Sequence, residues 1–139
     1  MLFRSEYRVL NRKVASAFDY RYSWLVRDNL DLAAMNCAAQ IFVGEHDFAA
    51  FRSLGTEVRT TIRRVISSEW TRDGDLFLYR VEANSFLRHM VRAMVAAMID
   101  VGRGKLAANK VATILAGLDR GAARANAPPG GLYLVEVRY

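Results

Sequence analysis

With 139 residues, 53% hydrophobic and 24% charged, the chain carries enough apolar material for one compact domain, alone or as a piece of a larger protein, which excludes intrinsic disorder. Its net charge of +6 and sequence pI of about 9.9 favour an anionic partner, with nucleic acid the natural candidate. A single cysteine, Cys37, excludes a disulfide within the chain and any cysteine metal motif, and the apolar neighbours of Cys37 predict a small buried side chain.

His46 and His89 lie far apart, without metal-ligand spacing. Of the 20 basic residues, 17 are arginine, the side chain suited to bidentate phosphate contacts and to stacking on bases. A GC-rich coding sequence raises Arg and Ala together, so the placement of the arginines carries more than their number. Residues 1–5, MLFRS, fit poorly with the rest of the chain and read as a doubtful, non-native start; the domain is taken as 6–139. Arg4 and Glu6 interrupt any early apolar run, so no signal peptide is expected, and the default location is cytoplasmic.

In chain order, EYRVLNR (6–12) has a strand-like mix with Tyr7 and Val9 on one side. DYRYSWLVR (19–27) alternates, placing Tyr20, Tyr22, Trp24 and Val26 on one strand face. DLAAMNCAAQIFVG (31–44) reads as a helix with Asp31 at its N-terminus, Gly44 at its end and an apolar stripe of Leu32, Met35, Ala39 and Phe42. GEHDFAAFRSLGTE (44–57) is turn-like with a short helical segment. His46 there suits a bond to nearby backbone better than a catalytic role. Residues 61–72 and 75–84 flank Asp73-Gly74, a strong hairpin signal. Phe77, Tyr79 and Val81 face one way and Leu76 and Leu78 the other, so this strand is expected to be central. Two helices come next, at 86–101 and near 107–117. The first is too short and too charged at its start to span a bilayer. A loop at 119–131, rich in turn residues, leads to a last strand, LYLVEVRY (132–139). The order β-β-α-β-β-α-α-β predicts an α+β domain: a mixed, mostly antiparallel sheet with helices packed on one face.

The helix at 86–101 poses a physical problem. On a wheel of about 100° per residue, Met90, Met94 and Met98 belong to a core stripe. Arg88 and Arg92 stack on another stripe that continues as Val95 and Ile99. One face is therefore basic first and apolar later, as at the mouth of a pocket with a dry floor. Cations near a helix N-terminus oppose its dipole by up to about 1 kcal/mol. With Asn84 or Ser85 as the cap, an anion held nearby would remove the conflict. An internal ion pair to Glu82 or Glu69, or arginines snorkelling to solvent, would remove it equally well.

The same stretch resembles a motif of the TruA family of tRNA pseudouridine synthases, close to N-x-F-L-x-x-M-V-R followed by an apolar run and V-G-x-G. It stands here as Asn84, Phe86, Leu87, Met90, Val91 and Arg92, then Val101, Gly102 and Gly104. GEHDFAAF (44–51), ANAPPGGLYLVEVRY (125–139) and EYRVLNR (6–12) resemble three further family segments, in register over nearly all of 6–139.

The resemblance implies isomerisation of uridine to pseudouridine in the tRNA anticodon stem-loop, around positions 38 to 40, without cofactor or metal, by enzymes that are typically homodimers. The aspartate that attacks lies, in the family, in a G-R-T-D-x-G-V-H segment of the N-terminal half. No such segment occurs here, so the chain resembles the C-terminal half and is expected to be inactive alone. Arg92 matches the arginine that pairs with that aspartate, and Leu132 an apolar residue beside the target base. Ser5 stands where the family has a base-stacking tyrosine, and Tyr7 matches the second tyrosine of its Y-x-Y. Arg52, Arg59, Arg63, Arg88 and His89 are the candidates for RNA backbone contact. A non-catalytic RNA-binding module and a dimerisation domain of related fold are the competing readings.

Overall fold

The computed structural model describes residues 1–13, 22–52, 58–117 and 126–138. Strand β1 (Leu2–Asn11) is the spine of a six-stranded sheet. One of its edges pairs antiparallel with β5 (Leu76–Ala83). The other is shared between β6 (Leu132–Arg138), antiparallel over the first half of β1, and β2 (Trp24–Val26), parallel over Val9–Asn11. β5 continues to β4 (Ile62–Asp73) and β4 to β3 (Gly44–Asp47), both antiparallel. The sheet is thus mixed and mostly antiparallel, and the fold is α+β.

Alternation along the strands separates the two faces. Tyr7, Val9, Phe77, Tyr79, Val81, Ser68 and Trp70 share one face and are all buried there. The opposite face carries Arg4, Glu6 and Glu82, with ion pairs Arg4–Glu82, Arg4–Glu136, Arg80–Glu6 and Arg8–Glu6. α1 (Leu32–Ile41) and α2 (Met90–Gly102) add Met35, Ala38, Ala39, Met90, Met94, Met98 and Ile99 to the buried cluster, and α3 (Ala108–Gly117) adds Val111 and Leu115. The methionines of α2 fill the core beside Trp70, whose indole Nε1 donates to the Met98 sulfur at 3.2 Å.

The hairpin forms where the Asp-Gly signal lies, with Gly74 at φ 58°. Asp31 caps α1, its carboxylate accepting from the Ala34 amide at 3.1 Å. β5 is central, between β1 and β4. β3 pairs with Ile62–Val65, so the outer edge of β4 beyond that point has no strand partner among the described residues. Asn36 of α1 covers part of it: its amide accepts from the Trp70 N–H (2.7 Å) and donates to the Trp70 carbonyl (3.0 Å).

The expectations for residues 44–47, for Cys37 and for residues 19–27 are corrected. GEHD forms strand β3 instead of a turn, with a single 3-10 turn after it at Ala49–Phe51. Gly44, at φ 108°, opens that strand rather than ending α1. Asp47 accepts from the Ala49 amide at the start of the 3-10 turn, and His46 Nε2 bonds the Val43 carbonyl at 2.9 Å, the backbone bond expected of it. Cys37 is exposed: it lies on the far side of α1 from Met35, Ala38 and Ala39, so helical phase decides its fate and the apolarity of its neighbours does not. β2 spans only three residues and Tyr22 is exposed ahead of it; Tyr20 lies outside the described residues. Residues 2–5 form the first part of β1, and Ser5, only 6% exposed, sits on the Tyr7 face opposite Val81 and Leu134.

Candidate functional site

The helix bearing Arg92 begins later than its apolar pattern suggests. α2 starts at Met90, after a turn in which His89 takes the left-handed conformation (φ 59°) and makes no side-chain cap. Arg88 therefore precedes the helix, and the expected stacking of Arg88 over Arg92 does not occur. Neither Asn84 nor Ser85 caps α2. Asn84 ties the turn to β4 instead: its side-chain oxygen accepts from the Arg64 and Ser85 amides at 2.9 and 3.0 Å, and its own N–H donates to the Arg64 carbonyl. Arg92 remains in the first helical turn, which holds no acidic residue, and Val95 and Ile99 behind it are fully buried. The inferred change of character along that helix face is present from Arg92 onward only.

Arg92 is half-buried and pinned. Its Nε donates to the Ala127 carbonyl at 2.7 Å, while the Ala127 amide donates to the Arg92 carbonyl at 2.9 Å. No carboxylate among the described residues pairs with Arg92: Glu82 is engaged by Arg4, and Glu69 pairs with neither Arg88 nor Arg92. The residue after Ala127 accepts a second tether, the Tyr7 hydroxyl donating to the Pro128 carbonyl at 2.5 Å. Residues 129–131 make one 3-10 turn, and Leu132 then enters β6 opposite Tyr7, half-buried against the core. Arg92, Tyr7 and Leu132 are thus gathered around the segment 127–132.

Electrostatics agree with this grouping. Burial holds the Tyr7 hydroxyl well above its ordinary range and keeps it a neutral donor; the nearby positive charge of Arg92 opposes that shift without cancelling it. His89 is held below its usual value, first by desolvation and then by the charges of Arg92 and Arg88. Arg88 and Arg92 make this corner electropositive, and an approaching anion would gain there.

The other candidate basic residues are spread along β4 and the loop before it. Arg59 and Arg64 are exposed, and Arg52 is half-buried after the 3-10 turn. Arg63 is committed to local backbone, its Nη1 donating to the Thr60 and Ile62 carbonyls at 2.8 and 2.7 Å. A separate, mostly apolar hollow of about 370 Å³ between α1, β3 and α3, lined by Ile41, His46, Asp47, Ala112 and Leu115, contains none of these residues. Sequence reasoning pointed to Arg92 and Leu132 but missed the 127–128 carbonyls that join them. The A-P-P-G-G run signalled a turn without saying what it closes on.

The family model described as tRNA pseudouridine synthase matches residues 38–139. The chain belongs to the tRNA pseudouridine synthase family. It is 40% identical over 136 residues to the tRNA pseudouridine synthase A of Rhizorhabdus wittichii, covering 98% of this chain and 54% of the relative. It is 41% identical over 133 residues to the protein of the same description from Pelobacter propionicus, covering 96% and 54%. The Brucella ovis relative is 40% identical over 133 residues, covering 96% and 53%. The chain therefore spans about half the length of the curated relatives it matches. No helix among the described residues is long and apolar enough to cross a membrane.

Proposed function

We propose that this chain is the C-terminal half of a tRNA pseudouridine synthase and supplies the arginine side of its active site. The substrate is uridine in the tRNA anticodon stem-loop, around positions 38 to 40. The N-glycosidic bond breaks, the uracil turns, and a carbon–carbon bond to the ribose forms. The observation that carries this reading is Arg92. It is a half-buried guanidinium in the first turn of α2, in front of fully buried Val95 and Ile99. One nitrogen is fixed by Ala127, and no carboxylate among the described residues pairs with it. Such a group suits an aspartate brought from the other half of the enzyme, which it would keep ionised and oriented. Leu132, at the start of β6 opposite Tyr7, would pack beside the target base. No cofactor or metal enters this reading.

The RNA backbone would follow the electropositive corner of Arg88 and His89 toward Arg52, Arg59 and Arg63. Arg63 is the weakest of these candidates, because its Nη1 already serves two carbonyls. The intact enzyme is read as a cytoplasmic homodimer, as its resemblance to the TruA enzymes suggests.

One observation favours a second reading, a non-catalytic RNA-binding module. Position 5, where the resemblance calls for a base-stacking tyrosine, holds a buried serine. Fusing residues 1–139 behind an aspartate-bearing N-terminal half of a family member separates the two. Pseudouridine in an anticodon stem-loop RNA, read by mass spectrometry, supports the enzyme. Salt-sensitive RNA binding with no product, in a fusion that restores the tyrosine at position 5, supports the binding module.

A further inference from the structure

Two consecutive carbonyls of one loop are held from two different elements. Ala127 accepts from Arg92 of α2, and Pro128 accepts from Tyr7 of β1. Pro128 lies at φ −56° and ψ 147°; its own ring fixes φ and the following Pro129 restricts ψ, so the two carbonyl groups keep a nearly fixed mutual orientation. Whatever orients the Pro128 carbonyl therefore also orients the acceptor of Arg92. The Tyr7 ring is itself clamped. Gly131 lies so close that an added Cβ would stand 2.8 Å from the ring Cε1 and Cζ atoms and 2.8 Å from the Arg8 carbonyl. Only glycine fits there, and the ring is fully buried.

We propose that Tyr7 is a positioning residue for Arg92, acting through the Pro128 and Ala127 carbonyls, with Gly131 holding its ring in place. β1 thereby sets the direction of the guanidinium at the start of α2 from the far side of the loop. The catalytic consequence rests on the functional reading above; the mechanical link does not. Tyr7 serves this role as a neutral donor and transfers no proton.

The link is tested on this chain alone, without RNA. The probe is the Arg92 Nε–H signal in a nitrogen-15 NMR spectrum, followed for its chemical shift and for its rate of exchange with solvent. Tyr7→Phe removes only the hydroxyl. Ser68→Ala removes the equivalent bond of the second buried tyrosine, Tyr79, whose hydroxyl lies 2.5 Å from the Ser68 hydroxyl, and serves as the control for general loosening. Pro128→Ala frees the dihedral while keeping Tyr7, and carries the test should the tyrosine variant fail to fold. The expected result is a shifted Arg92 signal exchanging about tenfold faster in Tyr7→Phe and in Pro128→Ala, as loss of one hydrogen bond's worth of restraint predicts, with no change in Ser68→Ala. An unchanged Arg92 signal in Tyr7→Phe and Pro128→Ala, or an equal change in Ser68→Ala, would overturn the proposal. Because the readout involves no catalysis, that failure would leave the pseudouridine synthase reading standing, and an inactive fusion would leave this link intact.

Discussion

His89 shows how a single titratable side chain reports on its surroundings. Desolvation and the neighbouring Arg92 and Arg88 charges lower its pKa from the ordinary value of 6.5. The folded state therefore binds this proton less readily than the unfolded chain does. Stability linked to His89 is present above the unfolded value and is lost as pH falls through the folded one. Urea denaturation at stepped pH should show the parent protein losing stability below about pH 6.5 more steeply than His89→Asn does; parallel curves would contradict the linkage. An RNA phosphate at the same corner favours the charged form. Adding an anticodon stem-loop should accordingly raise the His89 pKa, read from its ring proton shifts, and a pKa that stays in place would move the RNA path away from α2.

At the scale of elements, α1 is held by devices that can be removed one at a time. Asn36→Ala deprives the buried Trp70 peptide of both a donor and an acceptor and should cost about 1–3 kcal/mol in urea unfolding. A cost below about 0.5 kcal/mol would mean that water replaces the amide at the β4 edge. Asp31→Ala should cost about 1 kcal/mol through the lost cap, by the same measurement.

These elements differ in how far the sequence discloses them. The hairpin, the α1 cap and the methionine core of α2 arise from local rules, and Asp73-Gly74, Asp31 and Met90, Met94 and Met98 stand in the structure where those rules put them. The start of α2 was not legible, because Phe86 and Leu87 continue the apolar pattern while the chain bends at His89 into a left-handed conformation that periodicity does not register. β3 was not legible either: four residues including Gly44 and His46 become a strand only through pairing with β4. Arg92 stood out as a charge in the wrong place. Its tether to Ala127 did not, since it spans 35 residues of sequence and depends on how the last loop closes.

For the whole molecule, the sheet divides its labour between two faces. One is filled by α1, α2 and the large buried side chains. The other carries paired charges of both signs, with Arg4, Glu6, Arg80 and Glu82 neutralising one another. Arg88 and Arg92 stand together near the start of α2, where RNA contact is proposed. The central claim is that Arg92 serves a carboxylate and not a phosphate. It is tested most directly by comparing Arg92→Ala with the parent in the enzyme completed by an aspartate-bearing N-terminal half, measuring single-turnover pseudouridine formation and RNA affinity on one anticodon stem-loop substrate. Removing one partner of a partly buried charge pair should slow turnover on the order of a hundredfold or more while affinity changes by less than about threefold. Equal losses in rate and affinity would make Arg92 a phosphate contact and contradict the account.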